Sequence, residues 1–238
     1  MTRVLTHVDG LDEILNGGIP EGSVVLVSGT PGTMKTSLTY SVLHGNARRG
    51  VKGLYVSLEQ GRESLLDHVE GLGLRLEDTE GNLSILDLGT LRKKLAGPTD
   101  QPWMDLFKLY AQGMRKTFDY RLLVLDSLDA LEILAKFGDV RKELFDLIRW
   151  LRRLGCTAFL LAELPTDALG SRDPETAAFA KHKEEYLADG IVHLRFAAQG
   201  QFGMQRQLRI VKMRGTRHDA DYHALVFEDG FKVTRILA

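Results

Sequence analysis

The chain has 238 residues, and its 31 lysines and arginines nearly balance its 32 aspartates and glutamates, giving a formal net charge of −1. This balance argues against nucleic acid or an anionic membrane as a bulk electrostatic partner. Apolar residues make up 44% of the chain and charged residues 26%, as in ordinary globular proteins, which excludes a wholly disordered chain. We expect a single domain over residues 1–238, because the sequence contains neither a long linker nor a repeat.

Cysteine content and the start of the chain bear on the compartment. Cys156 is the only cysteine, which excludes an internal disulfide and a cysteine-built zinc site. A lone cysteine in an apolar run suits a reducing compartment. The first thirty residues lack the pattern of a secretory signal, and the chain lacks a run of about 18 apolar residues that could span a membrane. We therefore expect a cytoplasmic protein without a membrane partner.

The first two-thirds of the sequence alternate short apolar runs with helical periodicity, which predicts an α/β fold with a mostly parallel central sheet. The predicted helices cover 34–49, 63–72 and 140–154, and one more begins at Pro102. Asp139 is the expected N-cap of the 140–154 helix, and Gly155 is its stop. The predicted strands of this part are 22–28, 54–58, 83–88, 122–125 and 157–162.

The last third changes character. Residues 166–182 are polar and poorly periodic, which predicts a loop. Four strand-like runs follow, and the pair Asp229–Gly230 between the last two is a strong hairpin signal. We expect these runs to form antiparallel strands that extend the sheet: 191–196, 207–213, 223–228 and 231–237.

The most informative segment directly follows the first buried strand and opens a helix. Bound phosphate groups need inward-turned N–H groups, a helix N-terminus and a fixed cation, and a glycine-bearing loop at this place supplies them. Lys35 would reach the β- and γ-phosphates, and the Thr36 hydroxyl would bind Mg²⁺. The alternative is a turn in which the lysine merely caps a loop. The predicted phosphate-binding residues are Gly29, Thr30, Pro31, Gly32, Thr33, Met34, Lys35 and Thr36.

Met34 departs from the usual pattern of such loops, in which glycine stands immediately before the lysine. We expect Met34 to lie in the first helical turn, where its φ need not be positive and the fold tolerates a side chain. The side chain must still find room, so we also expect nucleotide affinity to differ from that of a loop with glycine.

Two further strands end in carboxylates, and such ends line the ligand crevice of a parallel sheet. Asp126 follows an apolar strand and would hold Mg²⁺ through water; the alternative is that it caps the next helix. Glu59 follows the 54–58 strand and is the best-placed base for an attacking water. Its alternative is a solvated loop residue that caps the helix from Glu63. Gln60 either orients water or is merely exposed.

With these elements in this order, the sequence resembles the RecA superfamily of P-loop ATPases, and within it the KaiC-like proteins. Gln60 stands where members often carry a second acid, and Leu161 and Ala162 stand where they often carry polar residues. The resemblance covers nearly the whole chain and is carried by residues 10–15, 17–22 and 29–36, by Glu59, by Asp126–Ser127, by 184–186 with Asp189, and by 212–216.

This resemblance implies an ATP- and Mg²⁺-binding core. We expect it to hydrolyse ATP, with Lys35 and Glu59 as catalytic residues; a nucleotide-gated switch with slow or absent turnover stays open as an alternative. The resemblance also implies a homo-oligomer, a hexameric ring with its sites between subunits, that acts as a nucleotide-dependent switch on an unidentified regulatory protein. Lys212 and Arg214 match the family's K-x-R-G-T element and would act on the neighbour's γ-phosphate. Because they are two residues apart on a strand, we expect them on one face, continuing from Leu208 and Ile210.

Two other activities stay open at this stage. An autokinase would bring a hydroxyl such as Ser171 or Thr176 to a neighbour's γ-phosphate. A recombinase paralogue would bind DNA through the 166–182 loop. The charged residues in the sequence of that loop are net acidic, which makes nucleic acid the less favoured partner.

Overall fold

The computed structural model describes residues 2–94, 102–164, 186–200 and 203–236. The predicted loop at 166–182, with Ser171 and Thr176, lies outside the described residues, as do Glu184 and Glu185. The described helices are α1 (Leu11–Ile14), α2 (Lys35–Ala47), α3 (Arg62–Glu70), α4 (Leu88–Lys94), α5 (Trp103–Thr117), α6 (Leu128–Ala135) and α7 (Val140–Leu154).

The strands include two that pair only with each other, β1 (Arg3–Val4) and β2 (Ile19–Pro20). The others form one nine-stranded sheet in the order β11-β10-β9-β8-β3-β7-β6-β4-β5. They are β3 (Val24–Gly29), β4 (Gly53–Ser57), β5 (Leu83–Asp87), β6 (Leu122–Asp126), β7 (Thr157–Glu163), β8 (Gly190–Gln199), β9 (Gly203–Met213), β10 (Tyr222–Phe227) and β11 (Phe231–Arg235).

This topology confirms the α/β prediction, including the antiparallel C-terminal extension. The pairs from β5 through β3 to β8 are parallel, whereas β8 to β11 pair antiparallel. The strand β8 is the junction, because it is parallel to β3 and antiparallel to β9. The predicted hairpin is also confirmed, since β10 pairs with β11 across residues 228–230.

Helices cover both faces of the parallel part of the sheet. Tyr40 and Leu43 of α2 belong to the core on one face, and Phe107 of α5 and Leu147 of α7 belong to the core on the other. The strand β3 is therefore buried on both faces, which explains its continuous apolar run. Among the described residues, no helix is both long and apolar enough to cross a bilayer.

The helix caps follow local chemistry. The Asp139 carboxylate accepts the Lys142 N–H at 3.1 Å, and Gly155 ends α7 with φ 71°, both as expected from the sequence. Pro102 differs slightly, because it precedes the helix as its N-cap residue with an extended ψ of 141°. The start of α5 therefore lies one residue later than expected.

Parallel pairing brings the candidate site together at one edge. Gly29 at the end of β3 lies opposite Glu163 at the end of β7, and Ser57 at the end of β4 lies opposite Asp126 at the end of β6. Because carboxyl ends of parallel strands share an edge, the segments that follow β3, β4 and β6 converge there.

Candidate active site

The loop between β3 and α2 has the backbone of an anion-binding turn. Gly32 and Met34 have positive φ angles of 81° and 70°, on either side of Thr33. Alternation of left- and right-handed residues turns successive N–H groups toward one point. Gly29 is needed for a different reason: a Cβ there would stand 2.5 Å from the carbonyl oxygen of Leu194 on the neighbouring strand.

Met34 lies just before α2 in the left-handed region, with φ 70° and ψ 32°. The expectation that it lies in the first helical turn without a positive φ is therefore wrong. The reason is that the backbone adopts a left-handed conformation at this one residue, where the loop passes into the right-handed helix. Glycine adopts this conformation without strain, whereas a residue with a Cβ carries about 1–2 kcal/mol of strain.

A pair of variants tests this strain. We expect Met34→Gly to have a higher free energy of unfolding than Met34→Ala, by about 1 kcal/mol, in urea denaturation. Both variants lose the methionine side chain, so their difference isolates the Cβ in the left-handed conformation. At Asp67, exposed on α3, the same pair should show the usual helical order, with alanine the more stable. Alanine above glycine at position 34 would contradict the assignment of strain.

Lys35 places a buried cation inside the loop. Its Nζ donates to the carbonyl oxygens of Gly29 at 2.8 Å and Thr30 at 3.2 Å, and the residue is only 9% exposed. Burial lowers the pKa of Lys35 from its usual value. Four carboxylates oppose this effect and favour the charged form: Glu163, whose Oε1 lies 4.0 Å from Nζ, Asp126, Glu59 and Asp129.

Thr36 and Asp126, the two predicted metal-binding residues, are hydrogen-bonded to each other. The Thr36 hydroxyl donates to Asp126 Oδ2 at 2.8 Å, and the Tyr55 hydroxyl donates to the same oxygen at 2.5 Å. Burial, followed by the charge of Asp126, raises the pKa of Tyr55 well above its usual value, so it remains a donor. The alternative role for Asp126 is wrong, because Ser127 caps α6 by accepting the Ala130 N–H at 3.2 Å.

Glu59 accepts a short hydrogen bond from the Ser127 hydroxyl. Burial raises the pKa of Glu59, and the nearby carboxylates raise it further, although the bond from Ser127 lowers it. Glu59 does not cap the following helix: the Arg62 N–H at the start of α3 donates to Asp87 at 3.1 Å. Gln60 is not simply exposed, because its Oε1 is buried and has no hydrogen-bond partner among the described residues.

Several residues of the site were not identified from the sequence. Arg206 donates from Nε to the Gly32 carbonyl at 3.1 Å, and its guanidinium lies over the Phe196 ring at 5.3 Å. The pairing of Phe196 with Arg206 across β8 and β9 brings this distant residue beside the loop. Ser127 could have been identified from the sequence, because serine after a strand and before a helix is a typical N-cap residue. No local pattern identifies Arg206.

An open cavity of about 410 Å³ joins these groups. The buried hydroxyl of Thr30 in the loop lacks a hydrogen-bond partner among the described residues. Larger cavities of about 610 and 700 Å³ lie elsewhere and contain no part of the loop. The cavity at the loop is lined by Pro31, Gly32, Met34, Lys35, Thr36, Ser37, Glu59, Gln60, His68, Leu72, Asp126, Ser127, Glu163 and Arg206.

Lys212 and Arg214 lie near the amino ends of the parallel strands, whereas the phosphate loop of their own chain lies at the carboxyl ends. The face predicted for them is wrong, because Val211 forms a β-bulge: Lys212 pairs with Ile191, whereas Ile210 pairs with Val192. One extra residue reverses the side-chain alternation. Lys212 therefore shares the face of Ile191, and Leu208 and Ile210 face the other core.

Both cations point to the segment before β8. Lys212 donates to the Ala188 carbonyl at 2.7 Å, and Arg214 donates to Asp189 at 3.0 Å. Asp189 also binds Arg152 at 2.9 Å and accepts the Val24 N–H at 3.1 Å. Burial alone would raise the pKa of Asp189, but these hydrogen bonds hold it below its usual value. In the single chain, Arg214 is therefore a structural partner of Asp189.

Nearly the whole chain is similar to known proteins. The family model described as "ATPase: KaiC" matches residues 4–236. A UPF0273 protein of Methanopyrus kandleri is 31% identical over 244 residues, covering 97% of this chain and 91% of that protein. The circadian clock oscillator protein KaiC of Picosynechococcus sp. is 31% identical over 241 residues, covering 97% of this chain but 44% of that protein.

The fold has a solved counterpart. The crystal structure of a KaiC-like protein from the hyperthermophilic archaeon Pyrococcus horikoshii superposes with a TM-score of 0.80 at 26% sequence identity, covering 98% of both chains. This structural match agrees with the sheet order described above. The chain therefore belongs to the KaiC family of ATPases, within the RecA superfamily of P-loop proteins.

Proposed function

We propose that residues 1–238 form one ATPase domain that binds Mg·ATP at the loop 29–36 and hydrolyses it to ADP and phosphate. The observation that carries this proposal is the buried Lys35 ammonium at the centre of a loop with two left-handed residues, directly beside the Thr36–Asp126 pair. A triphosphate would compete with the loop carbonyls for the Lys35 protons. The groups fit such a ligand because a fixed cation and inward N–H groups are what it requires.

The charge of the site supports a requirement for Mg²⁺. Four carboxylates surround Lys35, and Arg206 is a second cation at the loop. A triphosphate would add further negative charge to an already acidic site, so a divalent cation is needed to bind it. Thr36 and Asp126 would hold the ion, which would neutralise charge on the β- and γ-phosphates.

Glu59 supplies the base of the proposed hydrolysis. It lies on the segment after β4, and Ser127, itself fixed as the cap of α6, orients its carboxylate. Glu59 would take the proton of the attacking water while a bond forms between the water oxygen and the γ-phosphorus. The bond from the γ-phosphorus to the bridging oxygen breaks, and ADP and inorganic phosphate result.

We further propose that the chain works as a homo-oligomer, a hexameric ring, and as a switch that a regulatory protein reads. The position of Lys212 and Arg214 supports an oligomer, because they lie at the end of the strands opposite to their own phosphate loop. Only a neighbouring copy could bring them to an occupied site. The buried thiol of Cys156 suits the reducing conditions of the cytoplasm, where we place this activity.

The first test is Lys35→Ala with ATP binding measured by calorimetry in the presence of Mg²⁺. Loss of the one buried ammonium in the loop should raise the dissociation constant by about 10- to 100-fold, the range expected for a charge-assisted contact. Lys142→Ala, which removes an exposed lysine on α7, is the matched control and should bind as the wild type does. An unchanged dissociation constant for Lys35→Ala would overturn the assignment of the site.

A further inference from the structure

Beyond the phosphate loop, the cavity continues over the first turn of α2 to α3, where Ser37 and His68 contact each other. Ser37 Oγ and His68 Nε2 are 2.9 Å apart. Ser37 is 2% exposed, whereas His68 is exposed and lines the cavity. A buried hydroxyl thus fixes an imidazole that a ligand can reach.

The hydrogen bond determines which ring nitrogen is available. Ser37 Oγ has no other hydrogen-bond partner among the described residues, so we assign its single proton to the bond with Nε2. The ring proton of a neutral His68 then lies on Nδ1. No described residue hydrogen-bonds to Nδ1, which leaves this N–H as a donor for a ligand in the cavity.

The Nδ1–H of His68 lies where the sugar and base of a bound nucleotide would lie. Lys35 and Thr36, which would hold the β- and γ-phosphates and Mg²⁺, immediately precede Ser37 on α2. His68 lies beyond Ser37, and the half-buried Leu72, four residues after His68, lines the same cavity. An apolar side chain adds nothing to phosphate binding, but it suits a sugar and base beside a hydrogen-bond donor.

We propose that His68 is a further nucleotide-binding residue, whose Nδ1–H donates to a ribose oxygen of the nucleotide held by the phosphate loop. Ser37 is its positioning residue, because it fixes the orientation of the ring and the nitrogen that carries the proton. This inference rests on the proposed function of the loop and specifies how the same site would recognise the sugar.

Binding of Mg·ATP and of magnesium tripolyphosphate to the full chain, both measured by calorimetry, tests the proposal. His68→Ala should weaken ATP binding about 3- to 10-fold, as expected for one hydrogen bond, and leave tripolyphosphate binding unchanged. Ser37→Ala should act in the same direction, and Ser37→Thr, which keeps the hydroxyl, should restore ATP binding. Asp67→Ala, at the exposed neighbouring position on α3, is the matched control and should bind both ligands normally.

Each other outcome has a defined meaning. Unchanged ATP binding in His68→Ala overturns the proposal. Equal weakening of ATP and tripolyphosphate also overturns it, because His68 would then contact phosphate instead of the sugar. A wild-type chain that binds neither ligand overturns the proposed function of the loop, and this inference with it. If His68→Ala binds ATP normally while Lys35→Ala does not, this inference fails and the proposed function stands, so the two failures are distinguishable.

Discussion

Replacing Glu59 with glutamine should slow ATP hydrolysis by about 10²- to 10⁴-fold while ATP binding persists. The amide keeps the size of the side chain, and its oxygen can still accept the hydrogen bond from the Ser127 hydroxyl. What it loses is the ability to take a proton from water. Steady-state phosphate release and ATP calorimetry, performed on the same preparations, separate the two effects.

The pH dependence of hydrolysis gives an independent readout for Glu59. Burial and the neighbouring carboxylates raise its pKa. A base works only when deprotonated, so the rate should rise with pH through an acid limb placed above the usual glutamate range. The residual activity of Glu59→Gln should lack this limb. Because Ser127→Ala would also release the cap of α6, it is a poor control, and Glu63→Gln, exposed on α3, is the matched one.

Two results would contradict the role of Glu59. Wild-type turnover in Glu59→Gln would show that its carboxylate takes no part in the chemistry. Retention of the acid limb in that variant would show that the group that titrates is not Glu59. If the wild type itself has no turnover while it binds ATP, a nucleotide-gated switch without hydrolysis becomes the better account.

Much of the fold could be predicted from the sequence, because the local residue patterns and the tertiary packing agree. The run from Val24 to Gly29 is apolar throughout, because helices cover both faces of β3. Asp126 and Glu59 were identified because polar residues at the ends of apolar strands meet at one edge of a parallel sheet. The contact between Thr36 and Asp126, 90 residues apart, follows from that rule.

Other features depend on geometry that the sequence does not encode locally. The bulge at Val211 carries no glycine or other local signal, yet it moves Lys212 to the opposite face. Arg206 and His68 reach the cavity from distant segments, through the pairing of β8 with β9 and the packing of α3. Met34 shows the same limit, because its methionine side chain gave no sign that the backbone there is left-handed.

The largest effect should come from Arg214, through a neighbouring copy of the chain. Asp189, which Arg214 binds, also accepts the N–H of Val24 at the start of β3, whereas the phosphate loop follows Gly29 at its end. Five residue steps along a strand span roughly 16 Å, farther than an arginine side chain extends. Arg214 therefore cannot reach a phosphate held by the loop of its own chain, and the proposed catalytic role requires a neighbouring copy.

The proposed trans role requires Arg214 to exchange its contact with Asp189 for a neighbour's phosphate. Asp189 is shared with Arg152, so it stays paired with a cation when Arg214 leaves. For the same reason, Arg214→Ala should fold normally. A cation supplied in trans stabilises charge on the transferred phosphoryl group by about 10³- to 10⁵-fold in rate, so Arg214→Ala should lose hydrolysis by that order. Arg214→Lys should recover only part of it, because the planar fork that binds two oxygens is lost.

A mixing experiment distinguishes action across an interface from action within the chain. Arg214→Ala subunits keep an intact phosphate loop, and Lys35→Ala subunits keep an intact Arg214, so each preparation alone should be inactive. In a ring with one repeated head-to-tail interface, random mixing in equal amounts should restore both groups at about a quarter of the sites. Phosphate release should recover to that fraction of the wild-type rate, and Arg153→Ala, which removes an exposed arginine of α7, should retain full activity.

Mass measurement of the mixture confirms co-assembly. Co-assembled subunits that stay inactive would contradict the trans role and leave Arg214 as the structural partner of Asp189.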